Sequence, residues 1–335
     1  MQQDLSKTPI NILMCSDERG VAMMHMSLKT IFDSNRYENL EVHIITDGFS
    51  EASTEKINVL GKHFNREIVV HTISGDDLRR FDIPYLEGKE WPIAATFRLI
   101  MGRLLPDLHR VIYLDIDTMT RRSLLPLWLT DLDGCVVGGV RDVPENTQER
   151  LGNPSEYPYI NSGVMLVDLD RWRALDLDTK LIAAIADHPE QYCYFDQDAI
   201  NHLLYDKIKL LPAVYNVMML FHYRYQSGAA EPEELDYLQR CPVVVHFIGQ
   251  WKPWNKGGYA PGHFKRDLVK RYIAMAPKTE SLWKSNCYYE AKGKMTLRYA
   301  ILRCLSEVKR RLVRHGIYLA PSWHKYHIVD PYPNA

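Results

Sequence analysis

Short apolar runs alternate along the first half of the chain with segments whose apolar residues recur at helical spacing. The run INILMC (Ile10 to Cys15) predicts a buried strand, and GVAMMHMSLKTIFDSN then places Val21, Met24, Leu28, Ile31 and Phe32 on one helical face. LEVHIITD and EIVVHTI predict two further strands, with Ser50 set to cap a helix through EKINVLGKHF between them. A strand-helix-strand rhythm with short connections favours a mostly parallel sheet covered by helices on both faces.

The pattern continues with a helix over TFRLIMGRLL and a strand over RVIYLDID. Strands are predicted again at CVVGGVRD, YINSGVMLVDL and VVVHFIG, with helices at DTKLIAAIADHP and FDQDAINHLLYD. No internal repeat or low-complexity linker interrupts this series, so one α/β unit is expected over residues 1–255. The Gly- and Pro-bearing stretch KPWNKGGYAPG marks a junction, and residues 256–335 are expected to form a helical, basic extension.

Composition narrows the classes. Of 335 residues 46% are hydrophobic and 25% charged, ordinary for a soluble globular protein, and the net charge of -1 lacks the basic field that nucleic acid binding needs. That sum hides an asymmetry. Residues 281–335 hold ten Lys and Arg against Glu290, Glu307 and Asp330, which is +7 for the tail and -8 for the rest. Between Met295 and His315, Leu297, Ile301, Leu305, Val308 and Leu312 follow helical spacing while Arg303, Lys309, Arg310 and Arg314 fall largely elsewhere. Such a helix suits an anionic membrane surface, or equally a helix packed on the catalytic unit with a solvated basic face. The six cysteines include no C-x-x-C pair, which points away from a zinc site or a disulfide framework and toward a reducing cytoplasm. The start MQQDLSKTPI lacks signal-peptide character, and no run of about 18 apolar residues predicts a membrane span.

The candidate chemistry begins where RVIYL runs into Asp115 and Asp117. Ligands of open α/β sheets bind beyond the carboxyl ends of strands, and residues i and i+2 of a strand point the same way. Two carboxylates aimed at one point repel unless a divalent cation sits with them. A D-x-D triplet alone leaves a turn-capping role equally open. The stretch VVVHFIGQWKPW changes the balance. His246 can complete a ligand set, Gly249 lets backbone N–H groups approach a diphosphate oxygen, and Lys252 neutralises it. In FDQDAIN, Asp196, Gln197 and Asp198 open a helix; one acid suits the helix start, and at least one of the three side chains is free to face a cleft.

CSDERG, TFRL, YLDIDT, YINSGVMLVDL, YFDQDAIN and HFIGQWKPW, in this order, resemble the retaining glycosyltransferases of family 8, and within it the bacterial lipopolysaccharide core α-glucosyl- and α-galactosyltransferases. The resemblance spans residues from about 9 to about 290. It implies a GT-A fold with one Rossmann-like mixed sheet, a UDP-glucose or UDP-galactose donor, and Mn²⁺ or Mg²⁺. It matches Asp115, Asp117 and His246 to the metal ligands and Asp17 to the acid that reads the uracil. Arg98, Gly249 and Lys252 match donor and diphosphate contacts, and Cys15 and Ile116 are counted among the donor-binding positions. Asn161, Asp196 and Gln197 match residues lining the sugar and reaction centre, and Asp142 an acid near sugar or acceptor. The chain departs from the family after the first strand, with Asp17-Glu18-Arg19-Gly20 where Asp-Asp-Asn-Tyr is frequent. The implied acceptor is a lipid-linked oligosaccharide, which places the protein in the cytoplasm at the inner face of the inner membrane. The alternatives are a nucleotidyltransferase acting on sugar phosphates, whose glycine-rich loop CSDERG does not supply, and a non-catalytic sugar-nucleotide-binding protein.

Overall fold

In the computed structural model, which describes residues 5, 8–80, 93–142, 147–218 and 241–248, the apolar runs become strands in the predicted order. The strands are β1 (Ile10–Cys15), β2 (Leu40–Thr46), β3 (Glu67–Thr72), β4 (Arg110–Leu114), β5 (Thr118–Thr120), β6 (Val137–Arg141), β7 (Ile160–Asp168), β8 (Ile208–Leu210), β9 (Val217–Met218) and β10 (Val244–His246), of which the short β5, β8 and β9 are not among the predicted runs. A seven-stranded sheet has the order β3-β2-β1-β4-β7-β6-β8. Its first four strands in that order are parallel, whereas β7 runs antiparallel to both β4 and β6.

Period-two alternation splits the core between the two faces of this sheet. Ile10, Ile12 and Met14 of β1 and Ile112 and Leu114 of β4 pack into one cluster with α1 (Val21–Ser34) and α2 (Glu51–Phe64). Leu13 and Cys15 of β1 and Val111 and Tyr113 of β4 point into the other. That second cluster gathers Trp172, the helix Leu177–Asp187 and the helix Phe195–Leu203. Fully burying an aliphatic side chain of this kind contributes about 1.5–3 kcal/mol, so both faces specify the register strongly.

Two expectations are corrected. The single sheet is joined by a second, three-stranded one of order β5-β10-β9. The TFRLIMGRLL segment is not one helix but a 3-10 turn (Phe97–Ile100) followed by a single α-helical turn (Met101–Leu104). The N–H groups of Gly102 and Arg103 donate to the Asp178 carboxylate, at 3.2 and 2.7 Å, instead of closing a longer helix. Ser50 caps α2 as expected, its hydroxyl accepting from Ser53 N–H at 3.2 Å. Among the described residues no helix is long and apolar enough to cross a membrane. The predicted extension 256–335, with its basic helix 295–315, lies outside the described residues, as do Gly249 and Lys252.

Candidate active site

The strand β4 stops at Leu114, and Asp115 N–H still reaches across to the Gly163 carbonyl at 2.8 Å. The chain then turns: the N–H and hydroxyl of Thr118 both donate to the Asp115 carbonyl, at 3.2 and 2.7 Å, and β5 leaves in a new direction. Asp115 and Asp117 converge through this turn, not through strand alternation as the sequence pattern implies. The small sheet supplies the third group. β10 pairs antiparallel with β5 so that His246 stands opposite Thr118, and Phe247 N–H donates to the Asp117 carbonyl at 3.1 Å. His246 Nε2 consequently lies 3.1 Å from Asp117 Oδ1 and 3.5 Å from Asp115 Oδ2.

This constellation fits a hard divalent cation. One ligand atom from each of Asp115, Asp117 and His246 lies within 4.8 Å of the others, a mixed oxygen and imidazole set that suits Mg²⁺ or Mn²⁺. The other oxygen of Asp115 is already used, accepting from Arg98 Nη2 and Tyr113 OH, each at 2.7 Å. Space is provided by Gly163, where a Cβ would stand 2.1 Å from His246 Cε1 and 2.5 Å from Asp115 Oδ2. Only glycine lets β7 pass this close.

Because β7 is antiparallel to β4, its first residues lie beside the end of β4, and Asn161 and Ser162 border the carboxylates. The helix Phe195–Leu203 begins against them, with Phe195 at φ 45°, a left-handed conformation that costs a non-glycine residue about 1–3 kcal/mol. Its first three polar side chains go three ways. Asp198 is fully buried, accepting from Arg150 Nη2 and Tyr159 OH, each at 2.6 Å, and from Tyr194 N–H at 2.7 Å. It takes the structural role expected of one acid in this stretch. Asp196 accepts from the Ser162 hydroxyl at 3.2 Å and pairs with Arg98 Nε at 3.3 Å. Burial pushes its carboxyl up to about 6, against the opposing pull of the Arg98 charge.

The Gln197 amide is saturated on both sides. Its carbonyl oxygen accepts from Asn161 Nδ2 at 3.0 Å and Ser162 N–H at 3.1 Å, and its NH₂ donates to Asp142 Oδ2 at 2.9 Å and to the Tyr159 hydroxyl at 3.0 Å. Asn161 Nδ2 also donates to Asp142 Oδ2 at 3.2 Å. Asp142, Asn161 and the adjacent pair Asp196 and Gln197, from three separate stretches of the sequence, are thus one hydrogen-bonded group, with Ser162 linking Asp196 into it, beside the candidate metal ligands.

Other predicted residues have structural partners of their own. Arg98 is 6% exposed; burial works against its charge, but Asp115 and Asp196 outweigh it and hold the guanidinium ionised. Cys15 ends β1 beneath this cluster, and burial pushes its thiol up to about 12, so it is a packing residue with no thiolate chemistry at neutral pH. Cys135, just before β6, is half-buried. Asp17 spends its carboxylate on its own turn, accepting from Gly20 N–H at 2.9 Å and from Arg19 at 2.7 Å. Ile116 lies over Gly20, where a Cβ would meet its Cδ1 at 2.6 Å. Glu18 ties this turn to α2: burial raises its carboxyl, yet hydrogen bonds from Ser50 N–H and from the Ser53 and Ser50 hydroxyls hold it below the usual range.

Gly163, Tyr113, Tyr159, Ser162 and Asn216 take part in the site without being singled out by the sequence. For Gly163 a signal exists, since glycine inside an apolar strand marks close approach of another group. Tyr159 and Asn216 carry no comparable mark.

The sequence profile of glycosyl transferase family 8 matches residues 11–258. The chain is 28% identical over 315 residues to the lipopolysaccharide 1,2-glucosyltransferase of Escherichia coli strain K12, covering 91% of this chain and 86% of that one. It is 26% identical over 285 residues to the lipopolysaccharide 1,3-galactosyltransferase of Salmonella typhimurium strain LT2, covering 82% and 79%. Among solved structures it resembles the galactosyltransferase LgtC in complex with donor and acceptor sugar analogs, with TM-score 0.72 and 23% identity over 83% of this chain and 100% of that one. The structural likeness establishes the GT-A fold, and with the profile spanning most of the chain the protein is a glycosyltransferase that belongs to glycosyl transferase family 8.

Proposed function

We propose that the protein transfers glucose or galactose from a UDP-sugar to a saccharide acceptor, the lipopolysaccharide core, with retention and an α-linkage. The convergence of Asp115, Asp117 and His246 beside the group formed by Asp142, Asn161, Asp196 and Gln197 carries this reading. The acceptor class is that named in the two bacterial relatives, which this chain covers over most of their length.

A divalent cation bound by Asp115, Asp117 and His246 would supply Lewis-acid stabilisation of the diphosphate as it departs. The remaining work falls to the chain's own side chains. Arg98 pairs with Asp115 and Asp196 together and offsets part of the burial and mutual repulsion that raise Asp196 to about 6, so the sugar-side carboxylate stays ionised at neutral pH. Asp196 is then a fixed negative charge for the electron-poor sugar carbon that forms as the bond to diphosphate breaks. Gln197 has both lone-pair directions of its carbonyl oxygen occupied by donors, and an amide is already a poor nucleophile. We infer that the acceptor attacks on the face the diphosphate leaves, its proton passing to the leaving phosphate, with no covalent sugar on Gln197. Asp17, Cys15 and Ile116, at or just beyond the ends of β1 and β4, are proposed as donor-binding positions, and Gly249 and Lys252 as further diphosphate contacts.

Release of UDP from UDP-glucose or UDP-galactose with Mn²⁺ and truncated lipopolysaccharide is the test. Turnover is expected with wild-type protein and is reduced at least about 10³-fold in Asp115→Asn and Asp117→Asn with unchanged circular dichroism. Donor binding without turnover would support a sugar-nucleotide-binding protein, and full activity in both variants would refute the clamp. For the tail, we propose that 295–315 attaches the enzyme to the anionic inner face of the membrane, where a lipid-linked acceptor is presented.

A further inference from the structure

Asn216, the residue before β9, is fully buried and joins the two halves of the site. Its Oδ1 lies 3.1 Å from His246 Nδ1, and its Nδ2 donates to Asn161 Oδ1 at 2.9 Å. The surrounding network fixes which end of each amide is which. Asn161 Nδ2 is committed to Asp142 Oδ2 and Gln197 Oε1, and Asn161 Oδ1 accepts from Gly163 N–H at 3.1 Å. An accepting oxygen on Asn161 calls for the NH₂ of Asn216, which leaves Asn216 Oδ1 to face the imidazole. An amide oxygen only accepts, so Nδ1 of His246 carries hydrogen and Nε2 is the nitrogen turned to Asp115 and Asp117.

We propose that Asn216 is a positioning residue with two separable duties. Its oxygen sets the ring orientation of His246 for a divalent cation, and its NH₂ holds Asn161 against Gln197 on the sugar side. The proposal rests on the reading of Asp115, Asp117 and His246 as the cation site. Histidine ligands are commonly oriented by a hydrogen bond to the nitrogen away from the metal, and loss of that partner typically weakens binding 10–100-fold.

The two duties come apart by substitution. Asn216→Leu removes acceptor and donor together. Asn216→Asp keeps the acceptor for His246 and loses the donor to Asn161. Full-length protein is titrated with Mn²⁺ alone, following the free ion by electron paramagnetic resonance, and sugar transfer is then measured at saturating Mn²⁺. Asn216→Leu is expected to bind Mn²⁺ roughly 10–100-fold more weakly than wild type. Asn216→Asp is expected to bind at least as tightly as wild type but to transfer sugar about tenfold more slowly, the worth of one buried hydrogen bond. Wild-type affinity in Asn216→Leu would overturn the proposal, as would an Asn216→Asp protein that has lost Mn²⁺ binding. Should Asn216→Leu fail to fold, Asn216→Ala, which also removes both acceptor and donor, replaces it in the titration. Absence of Mn²⁺ binding by the wild-type protein would overturn the cation reading and this inference together, whereas binding that no Asn216 variant alters would overturn the inference only.

Discussion

Asp115 shows how much one side chain in this site has to do. One oxygen is held by Arg98 and Tyr113, which leaves the other facing His246, so the carboxylate is oriented before any ligand arrives. Its chemistry was legible in the sequence because a carboxylate pair after an apolar run, followed much later by His-x-x-Gly, is unusual in residue type as well as in order. What was not legible is the support around it. Gly163 leaves room for the imidazole, and Gly163→Ala would drive a methyl into His246 and Asp115. We expect that variant to stay folded by circular dichroism and to lose at least about tenfold in Mn²⁺ affinity; affinity unchanged by the methyl would show that the ring does not sit there during binding. Gln197→Glu tests the sugar side. It places a carboxylate where an NH₂ now donates to Asp142 and Tyr159, so transfer should fall by at least about 10²-fold. Mass spectrometry of wild-type protein under turnover should find no glycosylated Gln197, and a stable adduct there would contradict same-face attack.

At the scale of elements, apolar periodicity located the strands and the long helices well, because the burial that stabilises them is written as period two or period 3.6. It failed where specific hydrogen bonds override the pattern. The Asp178 carboxylate splits the Phe97–Leu104 segment, and a turn rather than a pleat brings Asp115 to Asp117. Nor could periodicity reveal that β10 pairs with β5, a contact between segments more than a hundred residues apart that alone brings His246 into the site. The helix α1 carries a further consequence. His25 is buried on it, and its Nε2 finds no hydrogen-bond partner among the described residues. Burial, helped by Lys29 and Lys56, lowers its pKa from 6.5 to about 4. The unfolded chain therefore takes up the proton first as pH falls. The resulting stability is complete above pH 6.5 and is lost progressively toward pH 4, by up to about 3 kcal/mol. Denaturant melts of wild type and His25→Leu between these limits should show a shallower acid decline in the variant, and equal slopes would remove His25 from the account.

At the scale of the whole molecule, two core clusters clamp a mixed sheet, and the candidate site lies where the ends of β1 and β4, the start of β7 and the small sheet meet. The charge asymmetry noted in the sequence belongs to this scale too, because the +7 of residues 281–335 would be drawn to an anionic lipid surface that the -8 of the rest would not. Removing the chain from Met295 onward should abolish binding to vesicles rich in anionic lipid while sparing UDP release in solution; vesicle binding that survives the truncation would end the attachment proposal. The most direct test of the cation site is a crystal structure of the full chain grown with Mn²⁺ and UDP, read through the anomalous signal of manganese. One strong peak is expected within bonding distance of Asp115, Asp117 and His246 Nε2, beside the diphosphate of UDP. A peak elsewhere, or an imidazole turned away from the two carboxylates with UDP bound, would contradict that site.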